Sequence, residues 1–197
     1  MKKIFTVIFG ILLCTVFGIT NVYATTTQAS YKDAKPVQIK TQKLKVYIPP
    51  KDILTTTMKH AFMDWQKHTE GNFSFEFVGT KSTANIVVIF IESGMTNICK
   101  NGDALGCTTY VPAKTLYGNK RILGTKIYIS VNDTNGKPMT KNQVYTIMLH
   151  EIGHALGLGH SKDKKSLMYE GTNSQMAEGQ EIREDDIKKL YELYGIE

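Results

Sequence analysis

The stretch that decides the fold is His150-Glu-Ile-Gly-His-Ala-Leu-Gly-Leu-Gly-His160. Residues four positions apart lie on the same face of an α-helix, so His150 and His154 can present two imidazole rings to one metal ion. If the helix continued straight, His160 would lie too far from His150 and His154 to bind the same metal ion. Glycine tolerates the positive φ that ends a helix, so a turn at Gly157 would bring His160 back. Three histidines with an open fourth position are a typical ligand set of catalytic zinc.

Glu151 lies beside the first histidine and is not needed as a ligand. A free carboxylate beside an open zinc site is suited to act as general base on a water molecule, which predicts hydrolysis of peptide bonds without a covalent intermediate. Two alternatives remain at this stage. A lone His-x-x-x-His pair also arises by chance on helix surfaces, and a secreted interaction module could bind zinc without turnover. The unliganded carboxylate argues against the second alternative.

These eleven residues resemble the metzincin signature, and two further features resemble its matrixin branch, the family of the matrix metalloproteinases. Ser161 directly follows the third histidine, and Ser166–Tyr169 comes at the spacing of the Met-turn of that family. The resemblance implies that Met168 lies beneath the zinc as an apolar floor and is not a ligand. Three further stretches resemble the first helix, the third strand and the last helix of matrixins. They are Ala61–Trp65, Ala84–Phe90 and Asp185–Gly195.

The resemblance implies an α/β, zincin-like catalytic domain. It would have a twisted, mixed sheet of five mostly parallel strands, with two long helices packed on it. A small C-terminal subdomain with a terminal helix would follow. It further implies that Leu105–Pro112 is an edge strand, which binds an extended polypeptide substrate by strand addition. Asp186 would hydrogen-bond the Met-turn.

Two metal sites of matrixins lack their ligands in this sequence. The structural zinc of the family is held by histidines after the third strand, and Glu92–Lys126 contains no histidine. Only one zinc ion is therefore expected. The calcium-binding carboxylates near the fifth strand are replaced by Ile129, Val131 and Asn132, which argues against a calcium ion. His60 and His68 are expected to be ordinary helix residues.

The amino-terminal segment predicts export. Lys2 and Lys3 precede the apolar run Ile4–Ile19, and Val22–Ala24 has the small residues of a cleavage site, so residues 1–24 are predicted to be a signal peptide. An uncleaved membrane anchor is the alternative. Residues 25–41 would form a leader or short propeptide, and residues 42–197 the catalytic domain. Asp33 of the leader could plug the zinc site as a carboxylate ligand, with a solvated linker residue as the alternative. We expect a minimal, bacterial-type protein that is secreted, extracellular, monomeric and not stably associated with a membrane.

Charge and cysteine content constrain the partners and the compartment. The formal net charge is +6, and residues 1–24 contribute two lysines and no acid, so the mature chain carries +4. Its basic residues are scattered, which argues against a nucleic-acid partner. Cys99 and Cys107 remain after cleavage and would form a disulfide in an oxidising compartment, with two free thiols as the alternative.

Hydrophobic periodicity places the remaining elements. Thr140 and Gln143 have the spacing of a capping box and would begin the helix that carries the histidines. The apolar run Ile86–Ile91 does not alternate, which favours a strand in the middle of a sheet, covered on both faces. The other predicted strands are 44–48, 73–77, 108–111 and 126–131, and the other helices are 52–68 and 184–194.

Overall fold

The computed structural model describes residues 43–92, 98–99, 104–113, 121–169 and 180–197. The predicted signal peptide and leader, with Asp33, lie outside these residues. The strands are β1 (Lys43–Tyr47), β2 (Ser74–Phe77), β3 (Ile86–Ile91), β4 (Gly106–Ala113) and β5 (Arg121–Ser130). The helices are α1 (Asp52–His68), α2 (Lys141–Ala155) and α3 (Glu184–Tyr194).

The five strands form one mixed sheet in the order β2-β1-β3-β5-β4. The pairs β1–β2, β1–β3 and β3–β5 are parallel, and β4 alone runs antiparallel, next to β5. A sheet of this kind with two long helices and a terminal helix confirms the predicted α/β fold. β4 lies at one edge of the sheet, as predicted for Leu105–Pro112, and it extends from Gly106 to Ala113.

The core lies between one face of the sheet and the two long helices. Alternate strand residues share a face, and the buried ones belong to the same apolar cluster as Phe62 and Trp65 of α1 and Ile152 of α2. The strand residues of this cluster with an exposed fraction of 2% or less are Val46, Ile86, Val88, Ile127 and Ile129. Trp65 also donates a hydrogen bond from Nε1 to the Leu149 carbonyl at 3.0 Å. The two helices are therefore joined one residue before His150.

Two predictions about the strands need correction. β3 lies in the middle of the sheet as predicted, but Val87 and Ile89 are only half-buried, because α1 and α2 pack on the other face of the sheet. The ladder of β4 and β5 extends from Gly106 opposite Ile129 to Ala113 opposite Arg121, with a bulge at Val111/Pro112. Both strands are thus longer than their apolar pattern, since backbone pairing does not require apolar side chains.

Cys99 and Cys107 are joined by a disulfide, with their Cα atoms 6.4 Å apart. The bridge packs with Ile91, Ile98 and Tyr128 in a small cluster separate from the main core. It thereby attaches Cys99 to the face of the sheet opposite the long helices. In the described part of the chain, no helix has the length and apolar character needed to cross a bilayer.

Candidate metal centre

Helix α2 begins with the predicted capping box. The Thr140 side chain accepts a hydrogen bond from the Gln143 backbone N–H, and the Gln143 side chain accepts one from the Thr140 N–H. This reciprocal pair satisfies two amide groups that the first turn of a helix leaves without partners. The predicted apolar side of the helix is buried, and it consists of Val144, Ile147, Met148 and Ile152.

The chain turns back after α2 as the glycine spacing predicts. Gly157 has φ +104°, a conformation that favours glycine. Its N–H bonds to the His154 carbonyl at 2.8 Å, and the Leu158 N–H bonds to the Gly153 carbonyl at 2.9 Å. The turn brings His160 next to the two helix histidines. One ring nitrogen each from His150, His154 and His160 lies within 4.8 Å of the others.

Two backbone carbonyls orient the helix histidines. His150 Nδ1 lies 2.7 Å from the Leu167 oxygen, and His154 Nδ1 lies 2.8 Å from the Leu158 oxygen. A carbonyl can only accept a hydrogen bond, so each Nδ1 carries the proton and each Nε2 keeps its lone pair. His154 Nε2 lies 3.1 Å from His160 Nε2. Burial lowers the pKa of His150 to about 4. It lowers the pKa of His154 to about 3.

This arrangement fits a zinc ion. Zinc binds neutral imidazole at about 2.1 Å, which places tetrahedral ligand nitrogens about 3.4 Å apart. The Nε2 atoms of His154 and His160 are 3.1 Å apart, close to this value. Metal-ligating histidines usually donate their other ring N–H to a carbonyl or carboxylate, as both helix histidines do. Within the described ranges, no other group of three or more His, Cys, Asp or Glu side chains has such spacing. His60 and His68 are exposed on α1.

Glu151 follows His150 on α2 and is buried, with an exposed fraction of 4%. Its Oε2 accepts a hydrogen bond from the Thr108 hydroxyl of β4 at 2.7 Å. Burial raises the pKa of Glu151 to about 8, and the hydrogen bond from Thr108 offsets part of this effect. Glu151 is one residue away from His150 in the sequence and lies outside the group of three histidines.

Met168 packs against α2 between the two helix histidines. A Cβ built on Gly153 would lie 2.5 Å from Met168 Sδ and 3.2 Å from Trp65 Cζ2. Met168 is 2% exposed, and its carbonyl accepts a 2.6 Å hydrogen bond from the Ser161 N–H, directly after the third histidine. Only a glycine at position 153 allows this close approach.

Asp186 of α3 holds the segment that contains Met168, as the family resemblance predicts. Asp186 is fully buried. Its Oδ1 accepts a hydrogen bond from the Ser166 hydroxyl at 2.7 Å, and its Oδ2 accepts one from the Leu167 N–H at 3.4 Å. The Leu167 carbonyl is the group that orients His150. A chain of hydrogen bonds therefore connects α3 to the first histidine.

We expect Gly153→Ala to lower the free energy of unfolding by up to about 2 kcal/mol. Overpacking against Met168 and Trp65 costs about 1–3 kcal/mol, and the higher helix propensity of alanine returns at most about 1 kcal/mol. Urea denaturation measures the change. The matched control is Gly79→Ala, where the new Cβ meets no atom within 4 Å. Equal effects at the two positions would contradict the close packing at Gly153.

Sequence reasoning named the three histidines, Glu151 and Met168. The structure brings the three histidine nitrogens together and packs Met168 against Gly153, between the two helix histidines. It missed Thr108, which is 43 residues from Glu151 and contacts it only through the sheet. It also missed the packing role of Gly153, although a glycine inside a helix is a signal for close approach of another group. The Leu167 carbonyl carries no signal in the sequence, because every residue has a carbonyl.

The mixed sheet and the three-histidine site behind a glycine turn define a zincin-like domain of the metzincin type. The fold is similar to the crystal structure of myroilysin, with a TM-score of 0.53 and 13% identity, covering 83% of this chain and 87% of that chain. The matrixin family model matches residues 34–195. The chain belongs to the matrixin family.

Two curated relatives agree with this assignment. Metalloendoproteinase 1 of Glycine max is 28% identical over 171 residues, which cover 84% of this chain and 55% of the relative. The probable matrix metalloproteinase 095L of Invertebrate iridescent virus 3 is 34% identical over 119 residues, which cover 59% of this chain and 31% of the relative. The aligned regions thus span between about a third and about half of these relatives.

Proposed function

We propose that this protein is a secreted, zinc-dependent endopeptidase in which Glu151 is the general base. The observation that carries the proposal is the convergence of three imidazole nitrogens within 4.8 Å, together with the buried carboxyl group of Glu151 one residue after His150 on the same helix. Membership of the matrixin family supports it, and so do the names of the two relatives, both of which are metalloproteinases.

His150, His154 and His160 would hold the zinc ion. When bound, zinc supplies Lewis acidity to a peptide carbonyl and makes water acidic enough to attack near neutral pH. The carbonyls of Leu167 and Leu158 keep two of the imidazoles in the tautomer that presents Nε2.

Glu151 transfers a proton from the water to the leaving amine in this mechanism. Its carboxylate takes a proton from the attacking water and delivers it to the nitrogen of the departing amine. The amine leaves as a neutral group, and no covalent bond forms between the substrate and the protein. Burial next to Thr108 keeps the carboxylate in one place between these two transfers.

The substrate would be an extended polypeptide that lies along β4. β4 is the last strand of the sheet and contacts α2 through Thr108 and Tyr110. An extended peptide added to such an edge gains affinity from backbone hydrogen bonds, which require little sequence preference. We further propose that the protein acts outside the cell as a monomer, after removal of residues 1–24.

Metal removal tests the proposal. The purified protein is expected to cut a generic unfolded protein, to lose this activity completely in 1,10-phenanthroline, and to regain it when zinc is added back. The non-chelating isomer 1,7-phenanthroline is the matched control and should leave the rate unchanged. If the protein binds one zinc ion and cuts nothing, the alternative of a non-catalytic zinc-binding module is favoured.

A further inference from the structure

One face of β4 is directed at helix α2 near the carboxylate. Residues two apart on a strand point to the same side, and Gly106, Thr108 and Tyr110 all face the helix. A Cβ on Gly106 would lie 2.5 Å from Glu151 Oε1 and 2.6 Å from Ile147 Cγ2. The Tyr110 hydroxyl donates to the His154 carbonyl at 2.6 Å. The edge strand and the site helix are therefore in direct contact along two turns.

Thr108 contacts Glu151 at two of its oxygens. The Thr108 hydroxyl lies 2.7 Å from Oε2 of the side chain and 3.0 Å from the backbone carbonyl oxygen of the same residue. A hydroxyl has one hydrogen to donate, so it can serve the carboxylate or the helix carbonyl but not both at once. The Thr108 hydroxyl thus has a second acceptor, the Glu151 backbone carbonyl, when the carboxylate is protonated.

Gly106 provides the space for this contact. With no Cβ at position 106, Oε1 of Glu151 can lie against the strand, while Oε2 is held by Thr108 two residues further along. Both oxygen atoms of the Glu151 carboxylate are therefore in contact with strand β4. Glu151 is 4% exposed, so bulk solvent competes little with Thr108 for Oε2.

From these contacts, and resting on the proposed function, we propose that Thr108 is a positioning residue that holds the Glu151 carboxylate in place for proton transfer. Displacement of a reacting group by about 1 Å can cost on the order of a hundredfold in rate. Thr108 touches neither the substrate carbonyl nor the ligand nitrogens in this role, and it acts through Glu151.

Thr108→Val tests the role because valine keeps the shape of threonine and removes the hydroxyl. We expect kcat to fall about tenfold or more, because the variant loses a hydrogen bond to a charged group. KM should change less than about twofold, and the zinc content should stay at one ion per chain. Thr108→Ser keeps the hydroxyl and should retain kcat. An unchanged kcat in Thr108→Val, with an active parent, would overturn the inference and leave the proposed function intact.

Tyr110→Phe is the matched control for a merely structural effect. It also removes one hydrogen bond from β4 to a carbonyl of α2, so its loss of thermal stability should be similar to that of Thr108→Val, with a smaller loss of kcat. Equal losses of kcat in the two variants would indicate that strand attachment alone matters and would overturn the inference.

Two further measurements separate positioning from other roles. In a Glu151→Ala background, Thr108→Val should have no additional effect on the residual rate, because the group it positions is gone. Crystal structures of the metal-free proteins should show one position of the Glu151 carboxylate in Thr108→Ser and several in Thr108→Val. A single, unchanged position in Thr108→Val contradicts the inference without reference to activity. A zinc-loaded parent that cuts nothing overturns both this inference and the proposed function.

Discussion

Glu151→Gln is expected to lower kcat by about 10²–10⁴-fold while the protein still binds one zinc ion. Glutamine has the size of glutamate and an oxygen that can accept the hydrogen bond from Thr108, but it cannot take up a proton from water. General base catalysis by a positioned side chain contributes a rate factor of this size. Initial rates on a fluorogenic peptide and metal analysis of the same samples measure the two quantities.

Glu192→Gln is the matched control, because it makes the same chemical change at an exposed position of α3. Its kcat and its zinc content should equal those of the parent. If Glu151→Gln kept the parental rate with zinc bound, another group would have to move the proton, and the mechanism proposed for Glu151 would be wrong. Loss of zinc from Glu151→Gln would instead make Glu151 part of the ligand set.

Asp186→Ala is expected to lower the free energy of unfolding by about 3 kcal/mol or more and to weaken zinc binding by about 10–100-fold. The fully buried carboxylate accepts hydrogen bonds from Ser166, Leu167 and the Arg183 N–H. Each hydrogen bond to a charged group is worth about 1.5–3 kcal/mol. The effect on zinc follows because Leu167 orients His150, and partners behind the ligands contribute to affinity on this scale.

Asp185→Ala is the control for this prediction. Asp185 is the preceding residue in the first turn of α3, but it is exposed. Loss of an exposed charge near a helix N-terminus costs only about 0.3–1 kcal/mol. Denaturant unfolding of the metal-free proteins and competition with a zinc indicator measure the two effects. Similar values for the two variants would show that Asp186 does not hold the segment from Ser166 to Met168.

The elements closest to the site could be predicted from the sequence because their determinants are local. The capping box of Thr140 and Gln143 and the glycine turn at 157 act within a few residues of the chain. The four-residue spacing of His150 and His154 places both on one face of α2 by helix geometry alone. The ends of β4 and β5 were less predictable, because strand pairing extends into residues with no apolar alternation.

The sequence by itself therefore determined which residues can bind zinc, which carboxylate is free beside them, and that helices and strands form a mixed α/β domain. Only the tertiary structure decided what holds those residues in position. Thr108 reaches Glu151 from 43 residues away, and Asp186 reaches Ser166 from 20 residues away. Hydrogen bonds between distant segments depend on the order of the strands and on the path of the chain after α2. No local pattern of residue types encodes that order, because it follows from the packing of the whole core.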